Sequence, residues 1–242
     1  EDILVTLKNN GTASLTSVNF EWKVNEEAQT SKNWTGSLTS GATTQVNLGS
    51  YDFSEGGVFS IKANVSNPNG VADENTLNDT LMTSVYANAP LTTPYTQDFD
   101  AVTPPAIPMG WNNIVNSTSG SAVVESSSSM AYTGNNSVKM YNAGDGSSGL
   151  LLVSPPIESF AGNQLKIALG GVSNGSVSIG TMSDPADAST FTEFKSITTS
   201  YEFSEFVVDF YNYSGSDNYI AIKHGNAGTY QTLYIDHFVW QE

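Results

Sequence analysis

The residues best suited to chemistry here are carboxylates. Asp98 and Asp100 lie in Tyr95-Thr-Gln-Asp-Phe-Asp100, and Asp236 lies far along the chain in Leu233-Tyr-Ile-Asp236. Carboxylate oxygens are hard ligands, and a calcium ion takes about six to eight oxygens, so the three Asp residues with Asn or backbone carbonyls would suffice if folding gathered them. Without a cation, two carboxylates about 4 Å apart repel by roughly 4 kcal/mol at an effective dielectric of 20. Such a cluster therefore needs an ion, a proton or separation. The alternative is that the acids stand apart on solvated strand ends. Other acids and amides read as turn formers: Asp73, Asn75, Asn78 and Asp79 in one polar loop, Asp184 and Asp187 around Pro185, and Asp145 in Asn142-Ala-Gly-Asp-Gly-Ser-Ser148. Short Asp and Asn side chains bond the backbone of their own turns, although each also offers a ligand oxygen.

A second chemistry is stacking. Tyr141, Tyr211, Tyr213 and Tyr230 fall near expected loops or strand ends, where rings can lie against pyranose faces, and they are the candidate ligand-binding residues. Trp111 reads as structural, because aromatic side chains also fill β-sandwich cores. His224 and His237 belong to no HExxH-like zinc motif, and no Gly-x-Ser-x-Gly elbow marks an activated serine. The expectation is a protein that is not an enzyme. Asn-x-Ser/Thr sequences occur at several positions, among them Asn10, Asn64 and Asn174, and read as polar turns in a chain this rich in Asn, Ser and Thr.

The net charge of −16 and eight basic residues exclude a phosphate-backbone partner, which requires clustered Lys and Arg. There is no Cys, hence no disulfide framework and no thiolate site. No apolar run approaches the roughly 18 residues of a membrane span. Glu1 enters almost directly into a strand without a Met or a leader, which is expected of modules belonging to a longer chain. The scarcity of Lys and Arg beside abundant Ser, Thr, Asn and Gly resembles secreted bacterial surface proteins, so the expected address is extracellular or the cell surface.

Short alternating apolar runs position these residues. Val18, Phe20, Trp22 and Val24 alternate with Asn19, Glu21 and Lys23, a half-buried strand with Trp22 as a core anchor. Similar runs recur every eight to twelve residues or so from Ile3 to Tyr86, with turns at Asn9-Asn10-Gly11 and Asn67-Pro-Asn-Gly70. Residues 1–88 are read as an immunoglobulin-like spacer domain, 89–94 as a Pro-containing linker, and 95–242 as a second β-domain. Its last runs, Tyr219 to His224 and Leu233 to Trp240, read as a closing antiparallel pair joined by the turn Gly225 to Thr229.

The opening strand with Asn9-Asn10-Gly11 and the late loop Asp73 to Asp79 resemble the cell-adhesion-related domain of bacteria, an immunoglobulin-like module. Four pieces of the second half, Phe99-Asp100, Pro108-Met-Gly-Trp111, Leu151-Leu-Val-Ser-Pro-Pro-Ile157 and Tyr219 to His224 with Leu233 to Asp236, resemble the jelly-roll group of MAM and bacterial cleaved-adhesin domains. The sequence departs from that family where His237 follows Asp236 in place of a second acid, and in the acid-free stretch Asn112 to Ser119; the absence of Cys points to the bacterial branch. The resemblance implies an all-β fold, an immunoglobulin-like β-sandwich followed by a jelly-roll β-sandwich. It also implies neighbouring first and last strands and a calcium ion near Asp98, Asp100 and Asp236. The function it implies is non-catalytic adhesion to a glycan or surface protein, alongside other modules of a parent chain. The alternative is a structural accessory region of a secreted hydrolase.

Overall fold

The computed structural model describes residues 1–171, 175–226 and 228–242; Asn174 and Ala227, the latter within the expected final turn, lie outside the described residues. The protein is all-β, and its strands divide between two compact units, Glu1–Ala89 and Pro90–Glu242. Within the stretch 89–94 expected as linker, the division falls between Ala89 and Pro90, and Leu91 packs on the second unit's core and bridges to Ile157.

The first unit runs β1 (Asp2–Lys8), β2 (Leu15–Val24), β3 (Glu27–Ala28), β4 (Lys32–Leu38), β5 (Thr43–Ser50), β6 (Gly57–Ser66) and β7 (Thr80–Ala87). β1 pairs with β5 in a sheet of two strands, and β3-β2-β6-β7 form the other sheet, with β4 also bonded to β2. Alternation along β2 puts Val18, Phe20, Trp22 and Val24 in the core, where each apolar side chain contributes about 1.5–3 kcal/mol. The Trp22 indole N–H is satisfied by the Thr30 carbonyl at 3.0 Å. Turn chemistry follows the local residues: Asn9 is buried, its side-chain amide donates to the Ala13 and Leu38 carbonyls, and its oxygen accepts from the Gly11 amide. In the polar loop, Asp73 accepts from the Asn75 amide, and Asn75 caps a short turn at Leu77.

The second unit runs β8 (Tyr95–Gln97), β9 (Asn112–Asn116), β10 (Val123–Ser127), β11 (Ser137–Tyr141), β12 (Gly149–Val153), β13 (Gln164–Gly170), β14 (Gly175–Met182), β15 (Thr192–Thr199), β16 (Ser204–Asp209), β17 (Tyr219–His224) and β18 (Thr232–Gln241). One sheet has the order β10-β11-β18-β13-β16 with β8 added on β18; the other is β15-β14-β17-β12-β9. Between them Trp240, Phe99, Phe210 and Phe238 are fully buried among aliphatic side chains. β17 and β18 are not a hairpin: they lie in opposite sheets. Alternation cannot distinguish these cases, because both strands bury one face either way. The first and last strands are neighbours, Gln97 lying opposite Phe238.

Candidate functional site

The β8–β18 pairing brings Asp100 and Asp236 to the same loop. The amides of Tyr132 and Thr133 donate to Asp236 Oδ2 at 2.7 and 2.9 Å, and the His237 amide donates to Oδ1 at 2.6 Å. Two residues further along, the amides of Asn135 and Asn136 donate to Asp100 Oδ1 at 2.6 and 2.8 Å. Gly134 sits between the two grips at φ 61°, and a Cβ there would lie 1.5 Å from Asp100 Oδ2. Only glycine permits this approach. Asp236 is fully buried, and burial raises its pKa above the ordinary value; its three amide bonds act the other way, and the charge of Asp100 adds to the rise.

Two of the three expected metal residues are thus brought together. Asp98 is not gathered with them: its Oδ1 accepts from the Asp100 amide at 3.1 Å, bracing the turn that presents Asp100. Among the described residues no three His, Cys, Asp or Glu side chains form a group able to hold a metal. Each of the two carboxylates nevertheless keeps lone-pair positions that no amide uses. A carboxylate offers about four lone-pair positions, and amides take three at Asp236 and two at Asp100.

The four tyrosines do not form one platform. Tyr141 pairs with Thr232 at the start of β18, and Tyr230, 72% exposed, is on the loop just before it. Tyr211 and Tyr213 follow β16, whose last residue, Asp209, shares Gln164 as partner with Gln241 at the far end of β18. At about 3.3 Å per residue, the length of β18 separates the two pairs. Tyr213 belongs to the core: its ring packs on Phe160 at 4.7 Å, and its hydroxyl donates to Thr181 Oγ1 and accepts from the Asp217 amide. Trp111 is structural, with its ring edge-on to Phe238 at 4.9 Å. His224 is buried, its pKa lowered by that burial, and its Nδ1 accepts from the Asn226 amide; His237 faces Glu205 at 3.1 Å.

A different surface has the makings of a binding site. On β14, Val177 and Ile179 face the inter-sheet core, so Ser176, Ser178, Gly180 and Met182 face outward. On β17 the same alternation turns Ala221 and Lys223 outward between Ile220, Ile222 and His224. One half of this outer face is apolar, built of Ile114, Leu151, Val153, Met182 and Ala221, with Phe191 packed over it. Gly180 makes room for that ring, since a Cβ would lie 2.6 Å from it. The other half is a cleft of about 540 Å³ lined by Ser147, Ser148, Ser176, Ser178 and Ser196 with Glu193, Lys223, Asn226 and Phe191. Lys223 Nζ lies 5.2 Å from the Phe191 ring centroid, and Ser178 Oγ donates to Glu193.

The rim of the cleft is stiffened by its own hydrogen bonds. Asp145 accepts from Ser117 Oγ and from the amide and hydroxyl of Thr118 with one oxygen, and from the amide and hydroxyl of Ser147 with the other. These bonds, Ser147 foremost, hold its carboxyl well below the usual range. Asn142 donates to Asn226 Oδ1 at 3.1 Å and to the Gly228 carbonyl at 2.7 Å, tying the two loops together. The cleft thus presents hydroxyl donors and acceptors, one ammonium, one carboxylate and a ring, the groups that recognise a polyhydroxylated ligand. Lys223 and Phe191 were not singled out from the sequence. The available signal was a lone Lys among the apolar residues of β17, facing the serines that alternate along β14.

No family model and no curated protein matches the chain. Among solved structures, a cleaved adhesin domain of Lys-gingipain is 15% identical with a TM-score of 0.52, over 62% of this chain and 98% of that domain. Another cleaved adhesin domain of Lys-gingipain, from Porphyromonas gingivalis, is 16% identical with a TM-score of 0.48, over 62% and 98%. A mutant of the family 29 carbohydrate binding module CBM29-2 is 17% identical with a TM-score of 0.42, over 60% of this chain and 89% of that module. The covered share is about the length of the second unit. At such identity the likeness is one of fold: the chain carries a β-sandwich of the cleaved-adhesin kind. No helix among the described residues is long and apolar enough to cross a membrane.

Proposed function

We propose that the chain is a non-catalytic binding module of an extracellular or cell-surface protein, and that its second unit holds a glycan in the cleft beside Phe191. The observation that carries this reading is the division of one outer sheet face into an apolar half buried under Phe191 and a serine-floored half bearing Lys223 and Glu193. A sugar presents the same duality, with C–H faces that rest on rings and hydroxyls that bond to polar groups. The cleaved-adhesin fold supports it. Calcium would be held by Asp100 and Asp236, with carbonyls and water completing its shell and Asp98 bracing the turn, and it would stiffen the loop from Tyr132 to Asn136.

A glycan array followed by calorimetry on wild type and Phe191→Ala tests the binding reading. A coherent set of sugars bound by wild type and weakened roughly tenfold in the variant is the expected outcome. Silence across the array would leave the accessory role in a secreted hydrolase. For calcium, a melt in EDTA is compared with one at about 1 mM calcium; a site of about 0.1–1 mM stabilises by roughly 0.4–1.4 kcal/mol. A shift that persists in Asp100→Ala would remove Asp100 from the site.

A further inference from the structure

Lys223 is set apart from the other lysines of the second unit by what it meets. Lys139 and Lys166 pair with Glu125 and Glu205 at 2.7 and 2.9 Å, and Lys195 donates to the Val207 carbonyl at 2.9 Å. Among the described residues Lys223 makes no such bond; its Nζ rests 5.2 Å from the centroid of the Phe191 ring. The side chain is partly buried. Lys223 lies opposite Ser178 of β14, and Ser178 lies opposite Ser196 of β15, so the three form one row on the outer face. Beside that row Glu193, opposite Gly180, accepts from the Ser178 hydroxyl and keeps acceptor positions free. The cleft is therefore polarised, with an ammonium on β17 and a carboxylate on β15. β14 lies between them, which sets the two strands about 9–10 Å apart.

We infer that the cleft selects acidic glycans: it takes a hexuronic acid residue whose carboxylate meets Lys223 Nζ. The inference rests on the glycan reading of the cleft and adds the class of sugar. A bond from an ammonium to a carboxylate is roughly twice as strong as one between neutral groups, a gain that a sugar bearing only hydroxyls leaves unmade. Partial burial protects that gain, since a partly buried pair is screened by salt less than an exposed one. Glu193 fixes the orientation. It accepts hydroxyls and repels a second carboxylate, so the acid end of the sugar residue lies toward β17 and its hydroxyl edge toward β15, over the serines. One ammonium facing one carboxylate suits a single anionic group, whereas the clustered charges of a polysulfated chain would meet Glu193. The net charge of −16 does not prevent this pairing. At 0.1 M salt, exposed charges more than about 10 Å away are largely screened, and the local ammonium decides.

The test is an array on which each hexuronate oligosaccharide is printed beside its methyl ester and its neutral hexose counterpart, with sulfated neutral oligosaccharides as a further arm. It is probed with the full chain as wild type, Lys223→Met and Lys223→Arg, and calorimetry gives affinities for the sugars that bind. Esterification removes the charge and changes little else. Wild type is expected to bind at least one hexuronate roughly tenfold tighter than its ester. Lys223→Met should bind the two about equally, and Lys223→Arg should restore most of the preference, because the charge rather than the stem carries it. The inference is overturned if acid and ester bind wild type alike, if the preference survives in Lys223→Met, or if only neutral or only sulfated sugars bind. In each of those cases the glycan reading still stands, provided that Phe191→Ala weakens whatever is bound. Failure to bind any sugar on the array would overturn both.

Discussion

Lys223 Nζ stands 5.2 Å from the centroid of the Phe191 ring, on the line where the outer face of the five-stranded sheet changes from apolar to polar. The contact joins β17 to the residue just before β15 across β14, and it is possible only because Gly180 carries no side chain beneath the ring. The ammonium is thereby presented to the cleft at a fixed place rather than sweeping through solvent. A ligand hydroxyl or carboxylate can meet it without the full entropy cost of ordering a Lys side chain, about 1.5–2 kcal/mol.

Lys223→Met keeps the stem and removes the charge. Loss of an exposed cation–π contact costs about 0.5–1 kcal/mol, so the melting temperature should fall by only a few degrees. Affinity for any sugar found on the array should fall by more than that contact alone explains. Calorimetry and a thermal melt on the same sample separate the two effects.

Gly134→Ala and Gly162→Ala form a matched pair. Both glycines have positive φ, 61° and 82°, but a Cβ at Gly134 meets Asp100 Oδ2 at 1.5 Å whereas one at Gly162 meets nothing within 4 Å. The backbone cost of about 1–2 kcal/mol is common to both. The additional clash should lower the melting temperature of Gly134→Ala by roughly 5 °C or more beyond that of Gly162→Ala. Equal melting temperatures would mean that the Asp100 grip contributes nothing.

Asp236 should make stability depend on pH in a particular direction. Its folded pKa is raised, mainly by burial, so between the ordinary carboxylate value and the raised one the folded state binds a proton that the unfolded state has lost. Stability falls as pH rises through that window. Calcium would favour the charged form and flatten the dependence. Denaturant melts from pH 3 to 8, with and without calcium, read both effects. Asp236→Asn should remove this contribution to the pH dependence and cost about 1–3 kcal/mol for the amide donor left facing its NH₂ group.

Asp145 behaves oppositely. Its pKa is lowered by the bonds from Ser147 and Thr118, so the stability it supplies is present above the ordinary carboxylate value and is lost as pH falls below it. Asp145→Ala should leave the core untouched and loosen the cleft rim. Hydrogen exchange at the Thr118 and Ser147 amides should quicken at least tenfold, with sugar affinity reduced in parallel. Unchanged exchange would show that the rim is held by the Asn142 and Asn226 bonds instead.

Much of the fold was legible in local pattern. Val18 to Val24 alternate as a half-buried strand and fold as one; Trp22 is a core anchor; Asp73, Asp184 and Asp187 shape turns through bonds to nearby amides. Every one of these readings rests on chemistry confined to a few neighbouring residues. Tyr213 and Tyr211 were alike as candidate stacking rings because both follow a strand, whereas the packing of Phe160 and Phe210 sets the Tyr213 ring, partly buried, against the core.

By itself, then, the sequence determined the all-β class, the placement of most strands and turns, and the acids near which charge would gather. Those follow from a two-residue side-chain period and from short polar side chains bonding their own backbone. Tertiary structure alone decided that β17 and β18 part to opposite sheets, that Asp100 and Asp236 grip one loop without Asp98, and that Phe191 and Lys223 share a cleft. The physical reason is that alternation tells which side chains turn inward, whereas partner and register are set by contacts between residues far apart in the chain, which no local period encodes.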